Sequence, residues 1–459
     1  MGRFQRLAAG LVLITAVILY FAPPPGGMSR EIIRCSALLL FAIGFWATGI
    51  IPEYLTALIF LLMAVISKLA TASVVFSGFH STALWLVFGG LVIAVAVEHT
   101  GLGQRMAHRF LGVLGTSYAG IISGIVLVAM LLNFIMPSTM GRVVLLVPIV
   151  VAMAERLDFP QGSPGRNGMV MAVTLACFVP SCATLPSNVV NMVLAGASES
   201  IYGVTFTYAN YLKLHFPVIG LMKGLAIVLL TCIFFPARIG SPPAERHQRP
   251  APWSKNERVL ALILAGTLFL WGTDFLHGIS PAWVALSAAL VCLLPFNRLL
   301  PVGAFQGGIN FGPLFYVAGV LGLGAVVAKT GLGDIFGNEL LKLINLEPGH
   351  HMRNFFSLVI LFTCISPVTT VPGFPAVMTP LSARIATVTG FPLETVLMTQ
   401  VIGYCNLILP YQLPPLVVGM QLGGVNVARG SRLTIALATV SILILMPANY
   451  LWWSLLGLF

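Results

Sequence analysis

Between residues 212 and 235 only Lys213 and Lys223 carry a full charge, and apolar stretches of this kind recur along the whole chain. A segment that crosses a bilayer needs about 20 mostly apolar residues, because a helix satisfies its own backbone hydrogen bonds inside hydrocarbon. The pattern predicts spans at roughly 7–21, 32–51, 54–68, 83–97, 169–194, 212–235, 259–273, 281–296, 313–328, 393–420 and 433–456. Charged residues make up only 8% of the 459, against about a quarter in soluble domains. Cytosolic enzymes and nucleic-acid binders are thereby excluded. The net charge of +11 marks no polyanion-binding face, since the 24 Lys and Arg punctuate apolar runs instead of clustering. The seven cysteines are also scattered, so they read as buried thiols outside any metal site or disulfide.

Two further apolar segments, around 121–153 and 355–386, are interrupted midway. Pro137, Ser138 and Thr139 break the first; Pro367, Thr369, Thr370, Pro372 and Gly373 break the second. Each half is too short to cross comfortably, so a re-entrant hairpin fits better than a kinked span. The expected fold is an all-α integral membrane protein with about 11 transmembrane helices plus two hairpins. Its first span follows Arg3 and Arg6 and lacks a small-residue cleavage pattern, which reads as an uncleaved helix. With the amino terminus inside, cytoplasmic segments hold 14 Lys or Arg and outer segments eight, while Arg142 and Lys223 stay at membrane depth.

Self-comparison adds an internal repeat. Thr100-Gly101-Leu102-Gly103 recurs as Thr330-Gly331-Leu332-Gly333, Trp46 and Thr48 before Pro52 match Trp271 and Thr273 before Pro281, Pro137 matches Pro367, and Pro186 matches Pro414. The chain divides into a first helix (1–30), repeat 1 (31–237), a Pro-rich cytoplasmic linker (238–258) and repeat 2 (259–459), each repeat with five spans and one hairpin. An odd number of crossings inverts the second copy, an architecture of secondary transporters whose sites lie where broken helices meet.

The interrupted segments carry the polar groups. Repeat 1 offers Ser138 and Thr139 at the hairpin and Thr184, Pro186, Ser187, Asn188 and Asn191 at a broken span; repeat 2 offers Thr369, Thr370, Tyr411, Gln412, Pro414 and Pro415. Half-helix amino termini favour anions and freed carbonyls suit a cation, although the same hydroxyls also re-satisfy unwound backbone. Arg142, one turn beyond Ser138, faces either an anionic substrate or backbone carbonyls. Lys223 reads as structural, and Glu53, Glu98 and Asp274 as interfacial. No HExxH, Walker, CxxC or GxSxG pattern occurs, and His350 and His351 lack the companions of a metal site. The chain is therefore expected to be neither an enzyme nor an ATP-driven pump.

The run Phe45, Trp46, Thr48, Ile51, Pro52, Thr56, Ala57, Leu58, followed by Leu86, Phe88, Gly89, Gly90 and Glu98, resembles the divalent anion:sodium symporter family of dicarboxylate, citrate and sulfate transporters. The resemblance runs from about residue 30 to 455 and implies a homodimeric elevator with a scaffold and a mobile transport domain in the cell (inner) membrane. It also implies a Ser-Asn-Thr triplet at each hairpin tip that touches substrate carboxylates and sodium. Here the triplets fall on Ser138-Thr139-Met140 and Thr370-Val371-Pro372, and the Thr-Pro-Pro-Asn break on Thr184, Pro186, Ser187 and Asn188; Leu416 follows Pro414 and Pro415 where an asparagine is expected. The candidate substrate site is Ser138, Thr139, Arg142, Asn188, Thr369, Thr370, Gln412 and Pro414. Candidate cation ligands, for a sodium ion, are Ser138, Thr184, Ser187 and Asn188. The expected activity is secondary transport of a small anion, foremost a dicarboxylate, driven by sodium, by protons or by exchange. Arg142 argues for reduced sodium dependence. An inorganic oxyanion carrier (sulfate, arsenite) and an anion channel are the alternatives.

Overall fold

The computed structural model describes residues 3–459 apart from 27, 112–116, 240–251, 302, 343, 345 and 370. Most of the linker and Thr370 thus lie outside the described residues, among which there is no strand. The first half runs α1 (Arg3–Phe21), α2 (Arg30–Thr48), α3 (Glu53–Ile66), α4 (Thr82–Thr100), α5 (Tyr118–Ile135), α6 (Thr139–Arg156), α7 (Pro164–Phe178), α8 (Val189–Tyr202) and α9 (Tyr208–Phe234, with a π-helical stretch at Phe216–Met222). The second half runs α10 (Lys255–Gly272), α11 (Pro281–Leu293), α12 (Gly312–Lys329), α13 (His351–Thr369), α14 (Leu393–Tyr404), α15 (Pro414–Gly423) and α16 (Val427–Leu455). Every span read from the sequence corresponds to one of these helices or to a broken pair.

Among the described residues eight helices are long and apolar enough to cross a membrane, and two of those eight, α5 and α13, belong to the interrupted segments. The expectation that each half there is too short is corrected in this respect. The helices start earlier than the apolar runs do: Ser117 caps α5 by accepting from the Gly120 amide at 3.1 Å, and α13 begins at His351. In the second segment the break falls within the expected stretch, 367–373, but not at its first proline. Pro367 sits inside α13, and the chain leaves the helix only after Thr369. A proline there removes one hydrogen bond but does not have to end the helix when neighbours take up the freed groups. Beyond it the chain continues in short pieces, Phe374–Met378 and Ser382–Thr389.

The repeated residues build the same local structure twice. Thr100 Oγ1 donates to the Ala96 carbonyl at 2.8 Å and Thr330 Oγ1 to the Val326 carbonyl at 2.9 Å. Gly101 and Gly331 then adopt left-handed φ of 76° and 73°, which only glycine reaches without strain, and turn the chain into the short helices Leu102–Leu111 and Leu332–Lys342. Likewise Trp46 Nε1 donates to the Glu53 carbonyl at 3.2 Å, and Trp271 Nε1 to the Pro281 carbonyl at 3.0 Å. Packing is reciprocal: α4 lies on α11, and their counterparts α12 and α3 lie on each other. Close approach requires small residues, and a Cβ on Gly89 of α4 would stand 2.8 Å from the Ala285 carbonyl of α11.

Asp274, just beyond the end of α10, is buried, its carboxylate capping α9 by accepting from the Tyr208 and Ala209 amides. Burial corrects one sequence reading, that of the cysteines. Of the cysteines, five are buried as expected, but Cys232 is half-buried and Cys364 exposed; all seven are free thiols.

Candidate functional site

Proline and small polar residues stop four helices inside the protein, and side chains take over the backbone groups that are released. At the first interrupted segment, Ser138 caps α6 by accepting from the Gly141 amide at 3.1 Å. Beside it, α7 ends at Phe178, and two 3-10 turns, Pro180–Ala183 and Leu185–Ser187, carry the chain to α8. Asn188 caps α8: its Oδ1 accepts from the Asn191 amide at 2.9 Å while its Nδ2 donates to Ser181 Oγ at 3.0 Å. The Asn191 Nδ2 donates to the carbonyls of Ser181, Cys182 and Thr184 at 3.2, 3.3 and 2.9 Å. This one amide thus replaces several lost helical bonds.

The second half solves the same problem differently. α14 ends at Tyr404, and Gln412 Oε1 accepts from the amides of Ile408 and Leu409 at 2.8 and 2.6 Å before α15 starts. The two breaks are joined directly, as Tyr404 Oη donates to Asn191 Oδ1 at 2.7 Å.

The broken span of each half also meets a buried cation. Arg142, fully buried, donates to the carbonyls of Met136, Cys177 (2.7 Å) and Ser187 (3.1 and 3.2 Å) and to Thr139 Oγ1 (3.2 Å). Lys223, on α9, donates through Nζ to the Cys405 carbonyl at 3.0 Å, to Asn406 Oδ1 at 2.6 Å and to Cys405 Sγ at 3.1 Å. Cys177 lies in the last turn of α7 and Cys405 just beyond the end of α14, so each cation meets the negative end of a half-helix dipole. Hydrogen bonds to charged groups are the stronger kind, which offsets the desolvation of both side chains.

The interrupted segments meet at one cavity of about 380 Å³. Pro137–Met140, Asn188–Val190, Pro372 and Leu413–Pro415 line it, so all four breaks contribute. Five helices, α3, α6, α8, α12 and α15, present their first residues to this space. Pro414 and Pro415 have no N–H to offer, so α15 brings dipole field without donors. The rest of the wall is mainly apolar, with Val87, Leu91, Phe178 and Met192, and is completed by Glu53, Asn310 and Tyr316.

Of the residues expected to bind substrate, the cavity brings together Ser138, Thr139, Asn188 and Pro414. Arg142 stands behind Thr139 and is absent from the wall; of the two orientations read from the sequence, this arrangement is the one toward backbone carbonyls. Thr369 and Gln412 are also off the wall, Gln412 being spent on backbone amides, and Thr370 lies outside the described residues. Among the proposed cation ligands, Ser187 Oγ donates to the Asn133 carbonyl, and the Ser187 carbonyl is taken by Arg142. Thr184 Oγ1 is buried without a hydrogen-bond partner among the described residues. At the first break the carbonyls of Met136, Cys177 and Ser187 are therefore already engaged by a guanidinium. Sequence reasoning missed Glu53 as a cavity residue and the Asn191–Tyr404 link. Glu53 directly follows the helix-starting Pro52, a position that reads as a span end, and no local signal pairs residues 213 positions apart.

The family profile described as sodium:sulfate symporter transmembrane region matches residues 4–459. Similar curated proteins include a membrane protein of Cupriavidus necator, 23% identical over 99% of this chain and 93% of that one. The chloroplastic dicarboxylate transporter 1 of Spinacia oleracea is 25% identical over 76% of this chain and 63% of its own. The sodium-dependent dicarboxylate transporter SdcS of Staphylococcus saprophyticus is 20% identical over 98% of this chain and 91% of its own. Among solved structures, the Alcanivorax borkumensis YdaH transporter aligns over 98% of both chains with a TM-score of 0.54 at 13% identity, a likeness of fold.

Proposed function

Because the chain belongs to the sodium:sulfate symporter family, we propose that it is a secondary active transporter of a small dicarboxylate, bound in the cavity between the four helix breaks. The observation that carries this reading is the convergence of five helix amino termini on one mostly apolar space. Helix amino termini attract carboxylates, and the apolar wall suits the hydrocarbon between two of them better than a bare oxyanion. Family members named as dicarboxylate transporters support the same class.

We read α5–α6, and α13 with the short helices after it, as re-entrant hairpins of an inverted repeat. They move with the broken helices as one transport domain, elevator fashion, against a scaffold that pairs two copies in a homodimer. The amino terminus faces the cytoplasm across the inner membrane. In this reading Arg142 and Lys223 stand where coupling cations would neutralise the half-helix carboxyl ends, so transport runs by exchange or proton coupling with little call on sodium.

Purified protein in liposomes tests both parts. Labelled succinate is expected to enter by counterflow against unlabelled succinate, with rates that change less than twofold when sodium replaces potassium. Uptake of sulfate alone would move the assignment to an inorganic oxyanion, single-channel currents would replace the carrier by a channel, and a steep sodium dependence would refute the fixed-cation reading.

A further inference from the structure

The cavity contains a carboxylate where a dianion is to bind. Glu53 opens into it from the first turn of α3, and Lys, Arg and His are all absent from the described residues of the wall. Its carboxylate has no hydrogen-bond or ion-pair partner among the described residues; only its main-chain carbonyl is engaged, by Trp46. An acidic residue in the first turn suits the helix dipole, and Glu53 is exposed. The dipole does not explain its place on the wall of a site whose ligand is itself doubly negative, where like charges repel.

Resting on the dicarboxylate reading above, we propose that Glu53 is the proton-binding site that couples substrate binding to protonation. The proton adds to the carboxylate from the side of higher proton activity, and the neutral carboxyl then admits and hydrogen-bonds the dianion. When the cavity faces the other side, anion and proton leave together and the carboxylate is restored. No covalent bond is made or broken.

The surroundings leave this role to Glu53. Around α3 the packed elements are α2, α12 and the short helix Ala72–Val75. On α12 the facing titratable group is Tyr316, a cavity phenol, and Lys329 follows it by 13 residues, about 20 Å along the helix. On α2 the ionisable side chains, Arg30, Glu31, Arg34 and Cys35, all lie in its first two turns, remote from the end that leads into Glu53. Ala72–Val75 carries none, and on α3 itself Tyr54 is the other ionisable group. Arg142 is held behind Thr139 by backbone carbonyls.

The test is succinate binding to the purified protein from pH 6 to 8, read by thermal stabilisation, for wild type and Glu53→Gln. One linked proton makes the wild-type affinity fall about tenfold per pH unit above the titration of the carboxyl. Glu53→Gln is expected to bind at least tenfold tighter than wild type at pH 8 and to lose that slope, and an inside-alkaline gradient no longer accelerates its uptake. The titration of succinate itself is common to both proteins, so the difference in slope isolates Glu53. Equal slopes in the two proteins, or none in wild type, overturn the proposal, and a lowered melting temperature with an unchanged slope reduces Glu53 to a helix-dipole role. Failure of succinate and related dicarboxylates to bind at any pH overturns the substrate reading instead.

Discussion

Replacing Arg142 by methionine keeps a long apolar stem in a fully buried position and deletes only the guanidinium. Three buried carbonyls, those of Met136, Cys177 and Ser187, then lose their charged donor together with Thr139 Oγ1. A buried group left unsatisfied costs roughly 1–3 kcal/mol, and the low end applies where unfolded helices in lipid find other partners. Three carbonyls at that low end give a loss of about 3 kcal/mol, or roughly 3 °C in melting temperature for a chain of this length. The same deletion leaves an inward-facing group of oxygens, the chemistry that sodium prefers. Thermal unfolding of purified Arg142→Met in sodium, potassium and choline chloride at equal ionic strength is the assay. Sodium alone is expected to recover much of the loss, and a cation at a hundredfold excess over its dissociation constant returns about 2.7 kcal/mol. Wild type, with the carbonyls occupied, is expected to be indifferent to the choice of cation. If Arg142→Met melts with wild type, or if sodium stabilises both proteins equally, the guanidinium is not what holds this break closed.

Lys223→Met is expected to lose roughly 2 kcal/mol, since it orphans the Cys405 carbonyl and the Asn406 side-chain oxygen, and unfolding measurements should show this loss adding to that of Arg142→Met. Tyr404→Phe removes the hydroxyl that links the two breaks and is expected to cost about 1 kcal/mol, with weaker succinate binding in the same samples because Asn191 loses a tether. On the short helix after α4, Arg105 grips Glu257 at 2.6 and 3.0 Å and holds its carboxyl below the usual carboxylate range. Its stabilisation is therefore complete above the ordinary glutamate value of about 4.3 and fades as pH falls through the depressed one. Acid unfolding of Glu257→Gln should lack that limb and show a loss of about 1 kcal/mol at neutral pH.

Much of this molecule is written locally. Helix positions follow from apolar run length, and the Thr-Gly-Leu-Gly and Trp…Pro landmarks specify turns whose hydrogen bonds close within ten residues or fewer, so both copies are legible in the chain. The four interruptions are legible for the same reason, because proline and small polar residues act on their own backbone. What those residues do is a different matter. Asn188 reached the cavity as its motif implied, whereas Gln412, chosen by the same logic, turned to the amides of Ile408 and Leu409. Arg142 and Lys223 were visible as charges at membrane depth, but Cys177 and Ser187, which accept from Arg142, lie 35 and 45 residues away, and the partners of Lys223 182 to 183. Glu53 read as the end of a span until α12 and the breaks of both halves gave it a place on the wall of a shared cavity. Backbone conformation is set by neighbours in sequence, but the field and the partners that a charged side chain meets are set by whichever elements the packing brings against it, and those appear only once the chain has folded.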